Sequence, residues 1–288
     1  MIFWRILDNN LYPVKEVKCL GFEKSEGLRI PDEYLEKQEF TILRTAWGIG
    51  DWGIISAMPR LLKQKYPNCK VYVPSSLLIK KLFNIDTNIM YNIFTNNPYV
   101  DGFIDEIKGE IYHDQYRIYN NSNPNIPLLE QILEFWQFEK KEYQDSQPEL
   151  YWTDEEKKLG DYIIRTYSNG DFGCLLISDR FGTQKGKFDQ KSYDRDTNNI
   201  SKILKENPIP YFYWSYKPIK NTPFNYINKA LNLRHISLRV QFYIKSRAKL
   251  NIGNQCGTNH LVVRYSKVYE SQRQFPLAHN FVKGEIYL

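Results

Sequence analysis

The sequence predicts an α/β protein of two lobes, each built on a parallel sheet. From about residue 40, short β-prone apolar segments alternate with amphipathic helical ones, a pattern typical of parallel strands joined by helical crossovers. The alternation stops in a proline-containing segment at 145–152 and then restarts. We therefore predict an N-terminal extension over residues 1–39, a first lobe over 40–150 and a second lobe over 151–288.

The first lobe is predicted to begin with a strand at 40–46 and a helix over 52–66. Pro59 lies inside that helix and should bend it, because proline removes a backbone hydrogen bond. Ser75 is placed to cap the following helix. The other predicted elements are strands at 70–73, 90–91, 102–106 and 115–119, and helices at 76–83 and 128–138.

The second lobe is predicted to begin with a helix that ends near Tyr167, because Thr153 and Glu156 have the spacing of a capping box. The apolar run at 174–178 is typical of a buried parallel strand. The other predicted elements are strands at 211–214, 236–238 and 250–252, and helices at 240–246 and 260–266.

Composition and charge exclude several classes of protein. Hydrophobic residues make up 42% of the 288 residues, enough for a sizeable core. The net charge is +6, but basic residues form no long block, so a nucleic-acid-binding arm is not indicated, although nucleic acid is not excluded. The four cysteines form no C-x-x-C pair, which argues against a zinc site. With no apolar run of membrane-spanning length, we expect a cytoplasmic protein and leave peripheral membrane contact open.

A glycine-containing turn at 48–51, between a predicted strand and a predicted helix, is the first candidate site. In open α/β sheets, ligands bind at the carboxyl ends of strands, where helix N-termini present unpaired N–H groups. Gly48 and Gly50 let the backbone approach a ligand closely. Asp51 stands at the helix start, where it either faces a ligand or caps the helix. With Gly53 the turn fits the dinucleotide pattern G-x-G-x-x-G, but the acidic residue that binds the ribose is missing.

The second candidate site is the segment 178–187, after the first strand of the second lobe. Arg180, Lys185 and Lys187 could neutralise a diphosphate, to which the Thr183 hydroxyl and nearby amides could donate. The alternative is an exposed basic loop. The third candidate is the segment 253–261, whose small and polar residues at a helix start suit an anion or a sugar hydroxyl. Its candidate contacts are Gln255, Cys256, Gly257, Thr258 and His260, and the last of these, taken alone, is more often a structural histidine.

Taken in order, these segments resemble the heptosyltransferase-like glycosyltransferases of family 9, which have the GT-B fold. That family has a G-x-G-D turn, a helix with an internal proline, a "YP" pair, an "NP-x-(I/V)-D" segment and a late "D-(T/S)-G-x-x-H-L" element. Their counterparts here are residues 48–51, Pro59, Tyr66-Pro67, residues 97–101 and residues 256–261. The sequence departs from the family at Gln255, where an acidic residue is expected before the late turn, and has a short second lobe.

The resemblance implies two Rossmann-like lobes with the active site in the cleft between them. It places the acceptor on the first lobe, with Asp51 as catalytic base and Gly48, Gly50 and Trp52 around it. It places the nucleotide-sugar donor on the second lobe. The residues that it implies for donor binding are Arg180, Thr183, Lys185, Lys187, Gln255, Cys256, Gly257, Thr258 and His260.

The implied activity is inverting transfer of a sugar from a nucleotide-diphosphate sugar to a glycan or lipid-linked saccharide, without a metal or cofactor. A carboxylate takes the proton of the acceptor hydroxyl, and cationic groups and amides stabilise the departing diphosphate. Three alternatives stay open. They are a non-catalytic nucleotide- or sugar-binding protein of the same fold, a glycosyltransferase acting on modified DNA bases, and a nicotinamide-dependent oxidoreductase.

Overall fold

The computed structural model describes the chain except for residues 1–2, 8–9, 15–38, 45–47, 109, 115–125, 136–137, 144–145, 179–180, 185–186, 216–223, 225–234, 255, 272–283 and 288. The chain divides into two compact units. The first unit comprises Met1–Ser122 and Leu129–Ser146, and the second comprises Asn123–Leu128 and Gln147–Leu288. No helix in the described ranges is both long enough and apolar enough to span a bilayer.

The first unit contains a parallel sheet and a separate hairpin. Its strands are β1 Phe3–Leu7, β2 Asn10–Val14, β3 Glu39–Arg44, β4 Lys70–Pro74, β5 Gly102–Ile104 and β6 Glu110–Asp114. The helices up to residue 146 are α1 Ile49–Ile54, α2 Met58–Lys65, α3 Ser76–Phe83, α4 Ile89–Phe94, α5 Leu128–Phe135 and α6 Lys140–Tyr143. Strands β1 and β2 pair antiparallel, whereas β3 to β6 are parallel in the order β5-β4-β3-β6.

The predicted helix over 52–66 is two helices joined by a 3-10 turn at Ile55–Ala57. Pro59 lies in the first turn of α2, where its missing N–H would have no helical partner in any case. Ser75 caps α3 as predicted, since its hydroxyl accepts a hydrogen bond from the Leu78 amide at 3.2 Å. The strand predicted at 90–91 is wrong, because these residues lie in α4. The strand predicted at 115–119 falls outside the described residues.

The "NP-x-V-D" segment has a structural role within the first unit. The Asp101 carboxylate accepts hydrogen bonds from the Lys63 ammonium at 2.6 Å, the Lys70 ammonium at 3.0 Å and the Val71 amide at 2.8 Å. Burial acts to raise the pKa of Asp101, but these donors outweigh it and hold the pKa below its usual value. The segment thus fastens α2 and β4 to the chain that enters β5.

The second unit is a parallel sheet covered by helices on both faces. Its strands are β7 Gly173–Ile177, β8 Thr183–Gln184, β9 Lys187–Phe188, β10 Tyr211–Ser215, β11 Leu250–Gly253, β12 Lys267–Glu270 and β13 Glu285–Tyr287. Its helices are α7 Asp154–Tyr167, α8 Gln190–Glu206, α9 Leu238–Arg247 and α10 Gly257–His260. The sheet order is β10-β7-β11-β12-β13, and β8 and β9 form a separate antiparallel hairpin.

Strand β7 sits inside the core of this unit, as its apolar sequence predicted. Leu175 and Ile177 belong to one apolar cluster, which includes Ile200 and Ile203 of α8. Cys174 and Leu176 belong to another, on the side of α7 and α9. Side chains alternate between the faces of a strand, so helices packed on both faces bury all of β7 and leave polar positions only beyond its ends.

Local capping signals in the second unit are confirmed, whereas some longer elements were not predicted. The Thr153 hydroxyl accepts from the Glu156 amide, and the Glu156 carboxylate accepts from the Thr153 amide. Residues 236–238 are not a strand, because Leu238 begins α9. The helix predicted at 260–266 is instead the short α10, which ends at His260, followed by turns. Helix α8 and strands β12 and β13 were missed.

Candidate functional site

The strand order of the second unit places a topological switch point between β7 and β11. From β7 the chain continues to β10 on one side, and then crosses to β11 on the other side of β7. The connections therefore leave the carboxyl ends of β7 and β11 in opposite directions. In open α/β sheets, ligands bind in the crevice that forms at this point. The second and third candidate segments of the sequence begin at the carboxyl ends of these two strands.

A buried asparagine joins the two strand ends at this switch point. Asn254 follows β11, and its Oδ1 accepts a hydrogen bond from the Ser178 amide at 3.0 Å. Its Nδ2 donates to the Ser178 hydroxyl at 2.6 Å. Both residues are buried, so the contact fixes the origin of both loops. Sequence reasoning did not select Asn254.

The loop that follows β7 forms a short hairpin, β8 and β9, which the sequence did not predict. Gly182 adopts a left-handed conformation with φ of 65° at its start, which favours glycine. The Gly182 amide donates to the carboxylate of Asp196 on α8 at 2.9 Å. Thr183 is half-buried and Lys187 is exposed, and their roles in donor binding stay predictions. Arg180 and Lys185 lie outside the described residues.

Asp196 is a buried anchor for two loops. Besides the Gly182 amide, its carboxylate accepts a hydrogen bond from the hydroxyl of Ser271, which follows β12, at 3.0 Å. Arg195 lies at 3.4 Å from the same oxygen. Burial raises the pKa of Asp196 above its ordinary value. Its place on α8 connects the loop after β7 to the loop after β12.

In the turn after β11, the side chains of the later residues are buried. Among the described residues of this turn, Cys256 and Gly257 are half-buried and border solvent. Thr258 and His260 are buried. Helix α10 packs the side chains of Thr258 and His260 against the sheet, and their contact with the donor stays a prediction. Gln255 lies outside the described residues.

A buried polar network supports this turn from below. The Lys245 ammonium donates to Asn259 Oδ1 at 2.6 Å and to the Thr258 hydroxyl at 3.4 Å. Asn259 Nδ2 in turn donates to a carboxylate oxygen of Glu270 at 3.1 Å, which also accepts from the Cys256 amide at 3.2 Å. Burial lowers the pKa of Lys245. The network holds α10 over the ends of β11 and β12.

His260 takes part in a second buried cluster next to this network. Its Nδ1 contacts the carboxylate of Glu285 on β13, and Tyr287 donates to the other oxygen of Glu285 at 2.8 Å. Glu270 is fully buried. Burial raises the pKa of Glu270 to about 7, because the charged form loses its hydration. The cluster therefore concentrates titratable groups beneath α10.

In the first unit, the glycine-containing turn also follows a strand at a switch point. Strand β3 lies between β4 and β6, so its carboxyl end is where connections diverge. Asp51 is the third residue of α1, is half-buried, and accepts a hydrogen bond from the Gly48 amide at 3.1 Å. A Cβ on Gly48 would lie 2.5 Å from Asp51 Oδ2. The contact has the geometry of helix capping, and the role of Asp51 as a base stays a prediction.

Gly50 and Trp52 were predicted to border the acceptor, and both are buried. The Trp52 ring is inaccessible to solvent and packs edge-on against Phe94, with 6.3 Å between the ring centroids. The contact of Trp52 with the acceptor stays a prediction, and the structure places its ring in the core of the first unit. The reason is the helical period, which turns position 52 inward when position 51 lies at the surface.

Comparison with known proteins gives a match at the level of fold. No family model and no curated protein match the sequence. A family 9 glycosyltransferase from Veillonella parvula matches with a TM-score of 0.55 and 10% identity, over 87% of this chain and 85% of that one. The ADP-heptose LPS heptosyltransferase II of E. coli matches with a TM-score of 0.46 and 10% identity, over 87% and 90%. The match to the Veillonella parvula protein shows that this chain has the fold of a family 9 glycosyltransferase.

Proposed function

We propose that the protein is an inverting glycosyltransferase that transfers a sugar from a nucleotide-diphosphate sugar to a glycan or a lipid-linked saccharide. The observation that carries the proposal is the convergence of two polar loops at the switch point of the second unit, where Asn254 joins them. In proteins of this architecture, such a point is where nucleotides bind. The fold of a family 9 glycosyltransferase supports the same conclusion at a coarser level.

In the proposed reaction, an acceptor hydroxyl oxygen attacks the anomeric carbon of the donor sugar. The bond between that carbon and the diphosphate oxygen breaks, and the nucleoside diphosphate leaves with the electron pair. Asp51 is the proposed base that takes the hydroxyl proton. A single displacement of this kind inverts the anomeric carbon.

The second unit supplies groups suited to the developing negative charge of the leaving group. The Thr183 hydroxyl and the exposed Lys187 ammonium lie on the β8–β9 hairpin, and the sequence adds Arg180 and Lys185 to the same segment. Fixed donors of this type stabilise a transition state without reorganisation. We propose that no step of the transfer requires a metal ion.

The first test is a thermal-shift screen with UDP, GDP, ADP, CMP and their sugars. A ligand that binds only the native state, and is present at a concentration 100 times its Kd, stabilises that state by about 2.7 kcal/mol. One nucleotide class should therefore raise the Tm clearly more than the other classes do. Absence of a shift with every nucleotide and nucleotide sugar would reject the donor assignment.

The second test measures transfer by Asp51→Asn with the donor found in the screen. The substitution removes the base but keeps an oxygen that can accept from the Gly48 amide. We expect a loss of transfer of about 10²-fold or more with the donor-induced Tm shift preserved. Wild-type activity in this variant would remove Asp51 from the mechanism.

A second candidate function is a non-catalytic protein that binds a nucleotide sugar. The observation that favours it is the hydrogen bond between the Asp51 carboxylate and the Gly48 amide, which gives Asp51 a structural role. Donor-induced stabilisation of wild type without turnover, across a broad panel of acceptors, would select this candidate.

A further inference from the structure

Three buried side chains of the second unit form a group with the composition of a metal site. They are His260 at the end of α10, Glu270 at the end of β12 and Glu285 at the start of β13. A ring nitrogen of His260 and one carboxylate oxygen from each glutamate lie within 4.8 Å of one another. Zinc–ligand bonds of about 2.0–2.2 Å hold the ligand atoms of a tetrahedral site about 3.3–3.6 Å apart, so His260 Nδ1 and Glu285 Oε1, which are in direct contact, must separate to admit an ion between them.

Neighbouring donors fix one oxygen of each carboxylate. Tyr287 donates to Glu285 Oε2 at 2.8 Å, while Glu285 Oε1 contacts His260. Glu270 Oε1 accepts from the Cys256 amide and from Asn259. Outer hydrogen bonds of this kind orient the ligands in metal sites.

The other oxygen of Glu270 supplies an independent observation. Glu270 Oε2 is buried from solvent and has no hydrogen-bond partner among the described residues. Leaving a buried carboxyl oxygen without a partner is costly. A cation placed between Glu270 and Glu285 would satisfy this oxygen and balance the two carboxylates.

We propose that His260, Glu270 and Glu285 bind one divalent transition-metal ion, of which Zn²⁺ is the representative. An imidazole nitrogen favours Zn²⁺ over Mg²⁺ or Ca²⁺, which prefer sites made of oxygen alone. Water fills the remaining coordination position. The ion fastens α10 to β12 and β13 and takes no part in sugar transfer, so the proposal does not depend on the proposed function.

The test uses the full-length chain without a polyhistidine tag, stripped of metal with a chelator. Isothermal titration with ZnCl₂ should show one tight equivalent for wild type, and the same equivalent should raise the Tm. His260→Gln and Glu270→Gln should each weaken the tight site at least about 10-fold. His235→Gln and Glu206→Gln are the matched controls, because both side chains are exposed, and they should bind as wild type does.

Two results would overturn the proposal. One is a wild-type protein that binds Zn²⁺ no more tightly than His260→Gln, and the other is an equal loss in the control variants. If the site variants fail to fold, the spectrum of Co²⁺ bound to the wild-type protein tests the proposal instead. One equivalent of Co²⁺ should give the visible spectrum of a four- or five-coordinate site and be displaced by Zn²⁺, whereas an octahedral, aquo-like spectrum argues against the site.

Discussion

Asn254 holds both the amide and the hydroxyl of Ser178, at 3.0 Å and 2.6 Å, and so joins the chain after β11 to the chain after β7. The two strands are neighbours in the sheet. One side chain therefore sets the separation of two loops that the sequence places far apart. The first prediction concerns this contact.

Replacing Asn254 with leucine should destabilise the protein by about 2–4 kcal/mol, because it leaves the buried Ser178 amide without its partner. It should also weaken the donor-induced Tm shift, since the loops lose their fixed spacing. Urea unfolding and the nucleotide screen measure the two effects. Asn207→Leu is the control, because Asn207 bonds to Ile203 at the end of α8, before β10 begins. Donor binding by Asn254→Leu at wild-type strength would show that the contact serves stability alone.

The second prediction tests the close approach of Gly48 to Asp51. Gly48 has φ of −77°, so alanine is compatible with the backbone, but its Cβ would meet Asp51 Oδ2 at 2.5 Å. Gly48→Ala should therefore displace the carboxylate. We expect a fall in transfer of at least about 10-fold, with a change in unfolding free energy below about 1 kcal/mol.

Gly102→Ala is the matched control for that measurement, because a Cβ on Gly102 meets no atom within 4 Å. Its activity should equal that of wild type. Full activity in Gly48→Ala would mean that the position of the Asp51 carboxylate does not matter for transfer.

The third prediction is a pH dependence of stability that comes from Asp101. Its pKa is lower in the folded protein than in the unfolded chain, so the unfolded state binds more protons and folding stability falls as the pH falls. The stabilisation is complete above the unfolded pKa of about 4 and is lost as the pH drops through the lower folded value.

Asp101→Asn should cost about 1–3 kcal/mol at pH 7, and the difference from wild type should shrink in the acid range. Urea unfolding between pH 7 and pH 3 measures it. Asp86→Asn is the control, since the Asp86 side chain is 85% exposed and lies 3.7 Å from Lys80, a pair expected to contribute about 0–1 kcal/mol. A constant difference across this pH range would contradict the assignment.

The fourth prediction concerns the bidentate salt bridge between Arg239 and Glu156. Arg239 Nε donates to one oxygen of Glu156 at 2.6 Å, and Nη2 donates to the other at 2.9 Å. Lysine cannot reproduce this two-point contact, so Arg239→Lys should cost about 1.5–3 kcal/mol.

A double-mutant cycle with Glu156→Gln isolates the coupling energy of that pair. The comparison is the exposed pair Lys157 and Asp154, at 3.1 Å, where the coupling should be about 0–1 kcal/mol. Equal coupling energies in the two pairs would show that the bidentate contact stabilises the protein no more than an exposed salt bridge does.

Local signals in the sequence predicted local structure well. Ser75, the Thr153–Glu156 box and the apolar run of β7 act through neighbours along the chain, so their spacing is sufficient. Helix α8 was not predicted, because its buried apolar residues all lie in its second half and the first half shows no apolar stripe. These residues are Ile200, Ile203 and Leu204.

The sequence places its candidate segments after particular strands, whereas the burial of individual residues within each segment was less predictable. Lysine and glutamate are almost never fully buried unless they are paired, so nothing in the sequence marked Lys245 or Glu270 as interior residues. Their burial depends on the packing of α10 against the sheet. The inward turn of Thr258 and His260 has the same origin.

Asp196 also has a consequence for how this protein can be altered. Because one carboxylate clamps Gly182 and Ser271 together, the loops after β7 and β12 are not independent modules. A graft that replaces one of them without a donor to position 196 leaves a buried carboxylate oxygen unpaired on the residue that holds the other loop. Libraries that diversify both segments while keeping the aspartate should retain more folded members than libraries that randomise it.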